Sequence, residues 1–168
     1  MGVGMTMKGS IDRRMAEAGI VLPELSAAIG SYLPYATSGD LVFVSGQLPW
    51  VEGRIAHPGR VGVEVSLDDG IAAARLCGLA LIAQVRAACG GDLDRVKAVA
   101  RLGGFVASAP GFADHAKVMN GASDLMVQVF ADAGRHARAA VGVASLPLDA
   151  GVEVDGVFRI RPAMAAGD

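Results

Sequence analysis

Two charged side chains stand at the starts of two apolar segments in the C-terminal part of the chain. Arg138 precedes the apolar stretch 139–145, and Glu153 lies near the start of the stretch 152–160. An arginine among small apolar residues costs free energy unless a carboxylate meets it. The structural interpretation is that the arginine closes a sheet as an Arg–Glu or Arg–Asp ion pair.

The other residues that could do chemistry form no stronger pattern. His57, His115 and His136 are far apart, and the chain has no CxxC or HExxH motif, so a metal site is not predicted. No glycine-rich phosphate-binding motif opens a helix. A Ser–His–Asp triad stays open, although no serine stands in a nucleophile-elbow context.

Composition limits the class of protein. The chain has 168 residues, of which 52% are hydrophobic and 19% charged, and its mean hydropathy is +0.44. These values exclude a disordered chain and indicate one compact domain. The most apolar window, residues 70–89, contains Arg75, Gln84 and Arg86, so a membrane span is not predicted. We expect the excess apolar surface to pack against other subunits.

Charge and cysteine content point to a cytoplasmic protein that does not bind nucleic acid. The net charge is −2, and the basic residues form no stripe. Cys77 and Cys89 lie twelve residues apart in one predicted helix, roughly 120° apart around its axis, so they are expected to stay reduced. The N-terminus carries Lys8, Arg13 and Arg14 without an apolar segment, which does not resemble a secretory signal.

Hydrophobic periodicity predicts the elements that position these residues. After a short N-terminal helix, the predicted order is β-β-(β)-α-β-α-β-β, which indicates an α+β fold with helices on one face of a mixed sheet. The second face would be covered in a closed trimer or dimer. The expected bounds are 11–19 (helix), 41–46 (strand), 71–89 (helix, with Ser66 as N-cap), 96–108 (strand), 114 or 120 to 133 (helix), and 139–145 and 152–160 (strands).

Two motifs, in the same order, resemble those of a known family. Residues 137–155 fill the pattern A-R-x-x-V-x-V-x-x-L-P-x-x-A-x-V-E, followed by Val or Ile and an acidic residue. Residues 29–32 and 45–49 resemble I-G-P-Y and S-G-Q-I/L-P at the family's spacing, with Ser31 in place of the proline. Residues 25–162 therefore resemble the RidA family, also called the YjgF or L-PSP endoribonuclease family, in a subgroup with an N-terminal extension.

The resemblance implies a chorismate-mutase-like α+β fold, with two helices on one face of a mixed sheet, assembled as a homotrimer with ligand clefts between subunits. Residues 1–22 would be the extension with its short helix, 23–162 the RidA-like domain and 163–168 a tail. Many members are enamine/imine deaminases that hydrolyse reactive 2-imino acids to 2-oxo acids and ammonia without a metal or cofactor. The implied partners are other copies of the chain and a small 2-imino or 2-oxo acid, with no nucleic acid and no membrane.

The family's functional residues have counterparts in this sequence. The resemblance implies that Arg138 binds the substrate carboxylate through its planar fork and that Glu153 orients or activates the attacking water. Tyr32 and Ser45 would line the cleft, with Tyr32 contributed by the neighbouring subunit.

Backbone groups near Gly46 and Ala140 would complete the cleft. Asn120 and Ser123 are both candidates for the asparagine that lines the pocket in relatives. Ala140 stands where many deaminating members have a cysteine, and the segment 103–120 is longer than usual. Retention of Arg138 favours a 2-imino acid or another small carboxylate as the ligand.

If the last two strands formed a simple β-hairpin, Arg138 and Glu153 would lie far apart. Such a hairpin would set Arg138 opposite Arg159 and leave Glu153 about 20 Å away. We therefore predict that the segment at Leu146 and Pro147 is a crossover and that Glu153 approaches Arg138 at one cleft, unless the two residues come from different subunits.

Two other functions remain open. A protein that binds or senses 2-oxo acids without turning them over would also use Arg138, but it would tolerate the replacement of Glu153. A ribonuclease, the activity in one of the family's names, is disfavoured by the acidic balance and the lack of a basic stripe.

Overall fold

The structure is a computed structural model that describes residues 9–25 and 31–162. Ile29 and Gly30 of the first motif, residues 1–8 of the extension and the tail 163–168 lie outside the described residues. The described part is a mixed α+β fold, as the sequence predicts. Its elements are α1 (Ser10–Glu17), β1 (Tyr35–Ser38), β2 (Leu41–Gln47), β3 (Trp50–Val51), β4 (Arg54–Ile55), α2 (Leu67–Ala88), β5 (Val96–Ala107), α3 (His115–Phe130), β6 (Ala137–Val143) and β7 (Val152–Ile160).

One mixed sheet has the strand order β1-β2-β7-β5-β6, and β3 and β4 form a separate small hairpin. β5 and β6 are parallel, whereas the other neighbouring pairs are antiparallel. β5 therefore lies between β6 and β7, and the last two strands are not hairpin partners. The connection through Leu146 and Pro147 is the predicted crossover.

Both long helices pack on the same face of this sheet. α2 lies against β7 and β2, and α3 lies against α2, β5 and β6. Along β7 the even-numbered residues are buried beneath the helices, while the odd-numbered ones are half-buried or exposed on the other face. That second face also carries Phe43 and Val141, which are 45% and 46% exposed. A single protomer therefore leaves one face of its sheet open.

α2 begins at its predicted cap. The Ser66 hydroxyl accepts the N–H of Asp69 at 3.1 Å, and Gly90 follows the helix with a left-handed φ of 64°. Among the described helices, α2 is the one that is long and apolar enough to cross a membrane, and half of its most apolar window is buried within the fold. Cys77 and Cys89 are buried free thiols, as predicted, and burial raises the pKa of each.

The differences from the predicted bounds at the end of α3 and at both ends of β6 have a structural cause. α3 ends at Phe130, three residues early, because Ala131 adopts a positive φ of 53° and starts a 3-10 turn. β6 occupies residues 137–143 rather than 139–145, because it follows its parallel partner residues 101–107 on β5. The earlier start places Arg138 inside the strand.

The N-terminal helix is attached to the core. Ile11 and Met15 of α1 are buried in the same core as the sheet and the long helices. The Asp94 carboxylate accepts the N–H groups of Ser10 and Ile11 at 2.8 and 2.9 Å, so it caps α1 from another part of the chain. Arg14 Nη1 donates to the carbonyl oxygen of Val129, at the end of α3, at 2.8 Å.

Candidate active site

Arg138 is held against α3 at one edge of the sheet, since β6 is an edge strand. Its Nη1 donates to the Ser123 hydroxyl at 2.9 Å, and its Nη2 donates to the Ala116 carbonyl oxygen at 3.0 Å. Both partners are neutral, and Arg138 takes part in none of the ion pairs found among the described residues. The sheet-closing ion pair considered from the sequence is therefore not formed, and the guanidinium keeps further N–H donors for a ligand.

Of the two candidates for the pocket asparagine, Ser123 contacts Arg138. Ser123 is half-buried on α3, whereas Asn120 is exposed one turn earlier. Ala140 is half-buried two residues after Arg138 and lies on the same face of β6. The structure thus groups Arg138, Ser123 and Ala140 along the junction of β6 and α3.

His136 extends this group and was not assigned to the site from the sequence. Its Nδ1 lies 2.6 Å from the Gly134 carbonyl oxygen, and its Nε2 lies 2.9 Å from the Ser123 hydroxyl that Arg138 contacts. A signal was available, because residues two apart in an extended segment lie on the same side. His136 and Arg138 have that spacing.

Glu153 lies on the open face of the sheet, beside Gly46. A Cβ at Gly46 would collide with the Glu153 carboxylate, so a larger residue at this position would displace that carboxylate. The register between β2 and β7 shifts between Val44 and Gln47, which marks a bulge at Ser45 and Gly46. Burial, and secondarily the charge of Asp155, raises the pKa of Glu153. A carboxylate in this state suits proton transfer.

Ser45 lies on the same face of the sheet as Glu153, and Tyr32 stands just before β1. The Ser45 hydroxyl donates to the Leu33 carbonyl oxygen at 2.7 Å and so fixes the segment that follows Tyr32, whose side chain is 53% exposed. A groove of about 520 Å³ opens nearby on this face. It is lined by Leu33, Ala36, Phe43, Val44, Ser45, Arg101, Asp155, Gly156 and Val157.

Within one protomer, Arg138 and Glu153 do not approach each other. Arg138 is level with Leu102 on β5, and Leu102 with Gly156 on β7, so Glu153 is two strands away and three residues along. This places the two backbone positions about 14 Å apart. The side chains also leave opposite faces of the sheet. The predicted approach is therefore not made inside a protomer, and only contributions from two copies could join these residues.

A second serine–histidine pair lies further along β6. The Ser108 hydroxyl is 3.0 Å from His115 Nε2, and the ring of Phe112 meets the imidazole edge-on. Gly142 leaves the space that this imidazole occupies. In residues 9–25 and 31–162, no group of three or more His, Cys, Asp or Glu side chains is arranged to hold a metal ion.

Comparison with known proteins identifies the family. A family model described as "YjgF/chorismate mutase-like, putative endoribonuclease" matches residues 12–157. The chain belongs to the YjgF/RidA family. The match begins inside α1, earlier than residue 25, where the sequence motifs begin to resemble the family.

The similar proteins and solved structures cover 80% to 95% of this chain. Protein TCP17 from Trypanosoma cruzi is 43% identical over 160 residues, which are 95% of this chain and 99% of that protein. A protein with unknown function from Agrobacterium tumefaciens is 46% identical with a TM-score of 0.83, over 90% of this chain and 94% of that one. RidA from the Antarctic bacterium Psychrobacter sp. PAMC 21119 is 27% identical with a TM-score of 0.52, over 80% and 92% of the two chains.

Proposed function

We propose that this YjgF/RidA protein is a cofactor-independent enamine/imine deaminase. It hydrolyses reactive 2-imino acids of the 2-aminoacrylate type to 2-oxo acids and ammonia. The observation that carries the proposal is Arg138, an exposed arginine held by neutral partners on α3. Its positive charge is therefore available to the carboxylate that every 2-imino acid carries.

The chemistry needs one positioned water and one group that moves a proton. The water molecule adds to the iminium carbon while Glu153 removes a proton from that water. The product is a neutral carbinolamine. Glu153 then returns the proton to the amino group. The C–N bond breaks as the C=O bond forms, and nitrogen leaves with the hydroxyl proton as ammonium. The raised pKa of Glu153 supports this role, since a proton carrier works best with a pKa near the working pH.

We further propose that the site is completed between copies of the chain in a homotrimer. Arg138 lies at the exposed edge formed by β6, and Glu153 lies on the open face of the sheet. The exposed Phe43 and Val141 on that face favour its burial against another copy. In this arrangement, Arg138 of one copy and Glu153 of the next share a cleft, and Tyr32 reaches it from a neighbouring subunit.

Subunit mixing tests the shared cleft. Arg138→Ala and Glu153→Gln are each expected to be inactive alone. When the two variants are co-expressed, their chains mix at random in each assembly. One interface in four then receives an intact arginine from one copy and an intact glutamate from the other, so we expect about one quarter of the wild-type activity. The activity of the purified mixed assembly is measured against each single variant. Mixed assemblies as inactive as the single variants contradict a site made by two copies.

Carboxylate binding without turnover is the second candidate. Every contact of Arg138 fits a binding protein equally well, and Ala140 replaces the cysteine that many deaminating members carry.

RNA cleavage is not proposed, because a net charge of −2 gives little attraction for a polyanion. We also propose a cytoplasmic location, which the two buried free thiols support.

Ammonia release tests the leading function. A threonine dehydratase generates the imine in place, and ammonia is followed with and without the purified protein. We expect ammonia release to be faster than spontaneous hydrolysis. No acceleration with several amino-acid precursors would leave only the binding function.

A further inference from the structure

Two side chains from one short segment meet on a single hydroxyl group. His136 and Arg138 are two residues apart. His136 Nε2 and Arg138 Nη1 each lie 2.9 Å from Ser123 Oγ. His136 Nδ1 is in turn 2.6 Å from the carbonyl oxygen of Gly134. A continuous chain of hydrogen bonds therefore runs from the backbone at Gly134 to the guanidinium.

When the His136 imidazole is neutral, only one placement of the protons satisfies every hydrogen bond in this chain. The Gly134 carbonyl can only accept, so His136 Nδ1 carries the proton and Nε2 is left as an acceptor. The Ser123 hydroxyl must then donate to Nε2, because no other direction satisfies that pair. Its lone pair is thereby turned to Arg138 Nη1, which can only donate. The proton positions follow from the partners rather than from observed hydrogens.

We propose that His136 is a positioning residue for Arg138, acting through Ser123. By holding the hydroxyl proton of Ser123, His136 presents Arg138 with an acceptor and prevents the hydroxyl from turning its proton toward the guanidinium. The Ala116 carbonyl fixes the other arm of the guanidinium at 3.0 Å. Arg138 thus meets its ligand in one orientation. The inference rests on the proposed role of Arg138 as the carboxylate-binding residue.

Two amide substitutions separate a specific role from a structural one. In His136→Gln, the side-chain carbonyl reaches the position of Nε2 and can still accept from Ser123. In His136→Asn the amide is one methylene shorter and can replace only Nδ1. We expect the dissociation constant for 2-oxobutanoate, measured by calorimetry on the full chain, to rise about tenfold in His136→Asn and to stay within about twofold of wild type in His136→Gln. Equal losses in both variants, or no loss in either, would overturn the proposal.

A double-mutant cycle tests the route through Ser123. Ser123→Ala should weaken binding to a similar degree, and adding His136→Asn to it should weaken binding no further. Additive losses would show that His136 does not act through Ser123. His57→Asn is the matched control, because His57 pairs with Asp69 at 3.3 Å and not with α3. It should leave the affinity unchanged.

A measurement without ligand keeps this proposal separate from the proposed function. In nitrogen NMR of the wild type, we expect His136 to be the Nδ1–H tautomer and the two Nη signals of Arg138 to be resolved, since each nitrogen has its own acceptor. In His136→Asn the two signals should merge as the guanidinium rotates more freely. An Nε2–H tautomer, or unchanged Arg138 signals in His136→Asn, would overturn the positioning role. A wild type that shows these signals but binds no 2-oxo acid would instead refute the proposed function.

Discussion

Arg138→Ala is expected to lower kcat/KM for imine hydrolysis about 100-fold, which brings ammonia release close to the spontaneous rate. The reason is that a charge-assisted bidentate contact to the substrate carboxylate is lost. The kcat/KM of Arg138→Lys should lie between those of the wild type and Arg138→Ala. A lysine keeps the charge but not the planar fork that meets Ser123 and the Ala116 carbonyl. The coupled dehydratase assay gives both values.

Arg135→Ala is the matched control for this experiment. Arg135 lies three residues earlier, its side chain is 75% exposed, and its partner Asp132 is fully exposed. An ion pair of this kind contributes little to stability. We expect wild-type kinetics from this variant. Near-wild-type kinetics from Arg138→Ala would remove Arg138 from the site and, with it, the observation on which the proposed function depends.

Glu153→Gln is expected to lower kcat by about 10²- to 10⁴-fold while the affinity for 2-oxobutanoate is kept, because the amide cannot carry the proton. Single-turnover kinetics and calorimetry separate the two effects. Loss of turnover with retained binding identifies an enzyme. Unchanged turnover would mean that Glu153 carries no proton in the reaction.

The same substitution should stabilise the fold at neutral pH. The folded-state pKa of Glu153 lies above its ordinary value of 4.5, mainly through burial and secondarily through Asp155. The folded state therefore binds this proton more tightly than the unfolded state does, and the ionised carboxylate costs stability once the pH exceeds the raised pKa. Urea unfolding should show Glu153→Gln as the more stable protein at pH 7, and the difference should vanish as the pH falls to about 4.5.

Asp155→Asn is the companion variant for the pH dependence. Without the neighbouring negative charge, the pKa of Glu153 falls, and the acidic limb of the kcat profile should move to lower pH. Asp155 also pairs with Arg101 at 3.3 Å, so urea unfolding of this variant is measured alongside. An acidic limb that stays in place would exclude Glu153 as the group that titrates in it.

Local patterns predicted the elements well where one periodicity dominated. The strict alternation in Val152–Ile160 gave the bounds of β7, and the Ser66 cap with the following Gly90 delimited α2 within a few residues. The end of α3 was missed because it depends on the positive φ of Ala131, a residue type that carries no such signal.

The sequence nominates residues for the candidate site but does not give their geometry. The motifs point to Arg138 and Glu153, yet the sheet face that each side chain occupies depends on the parallel pairing of β5 with β6, a contact between distant segments. The link from Ser123 to His136 and Arg138 likewise requires α3 to be packed on β6. Single-sequence reasoning lacks this tertiary information, and it left Asn120 and Ser123 as equal candidates.

The docking of α1 has a consequence for the order in which the protein folds. Its capping group Asp94 is 84 residues beyond Ser10, and the carbonyl that receives Arg14 is 115 residues beyond that arginine. During synthesis, α1 therefore emerges long before its binding site exists. An isolated helix of eight residues is not stable in water. Among the described helices, α1 is made first, and we expect it to be among the last to form, because it packs on a core to which α3 contributes.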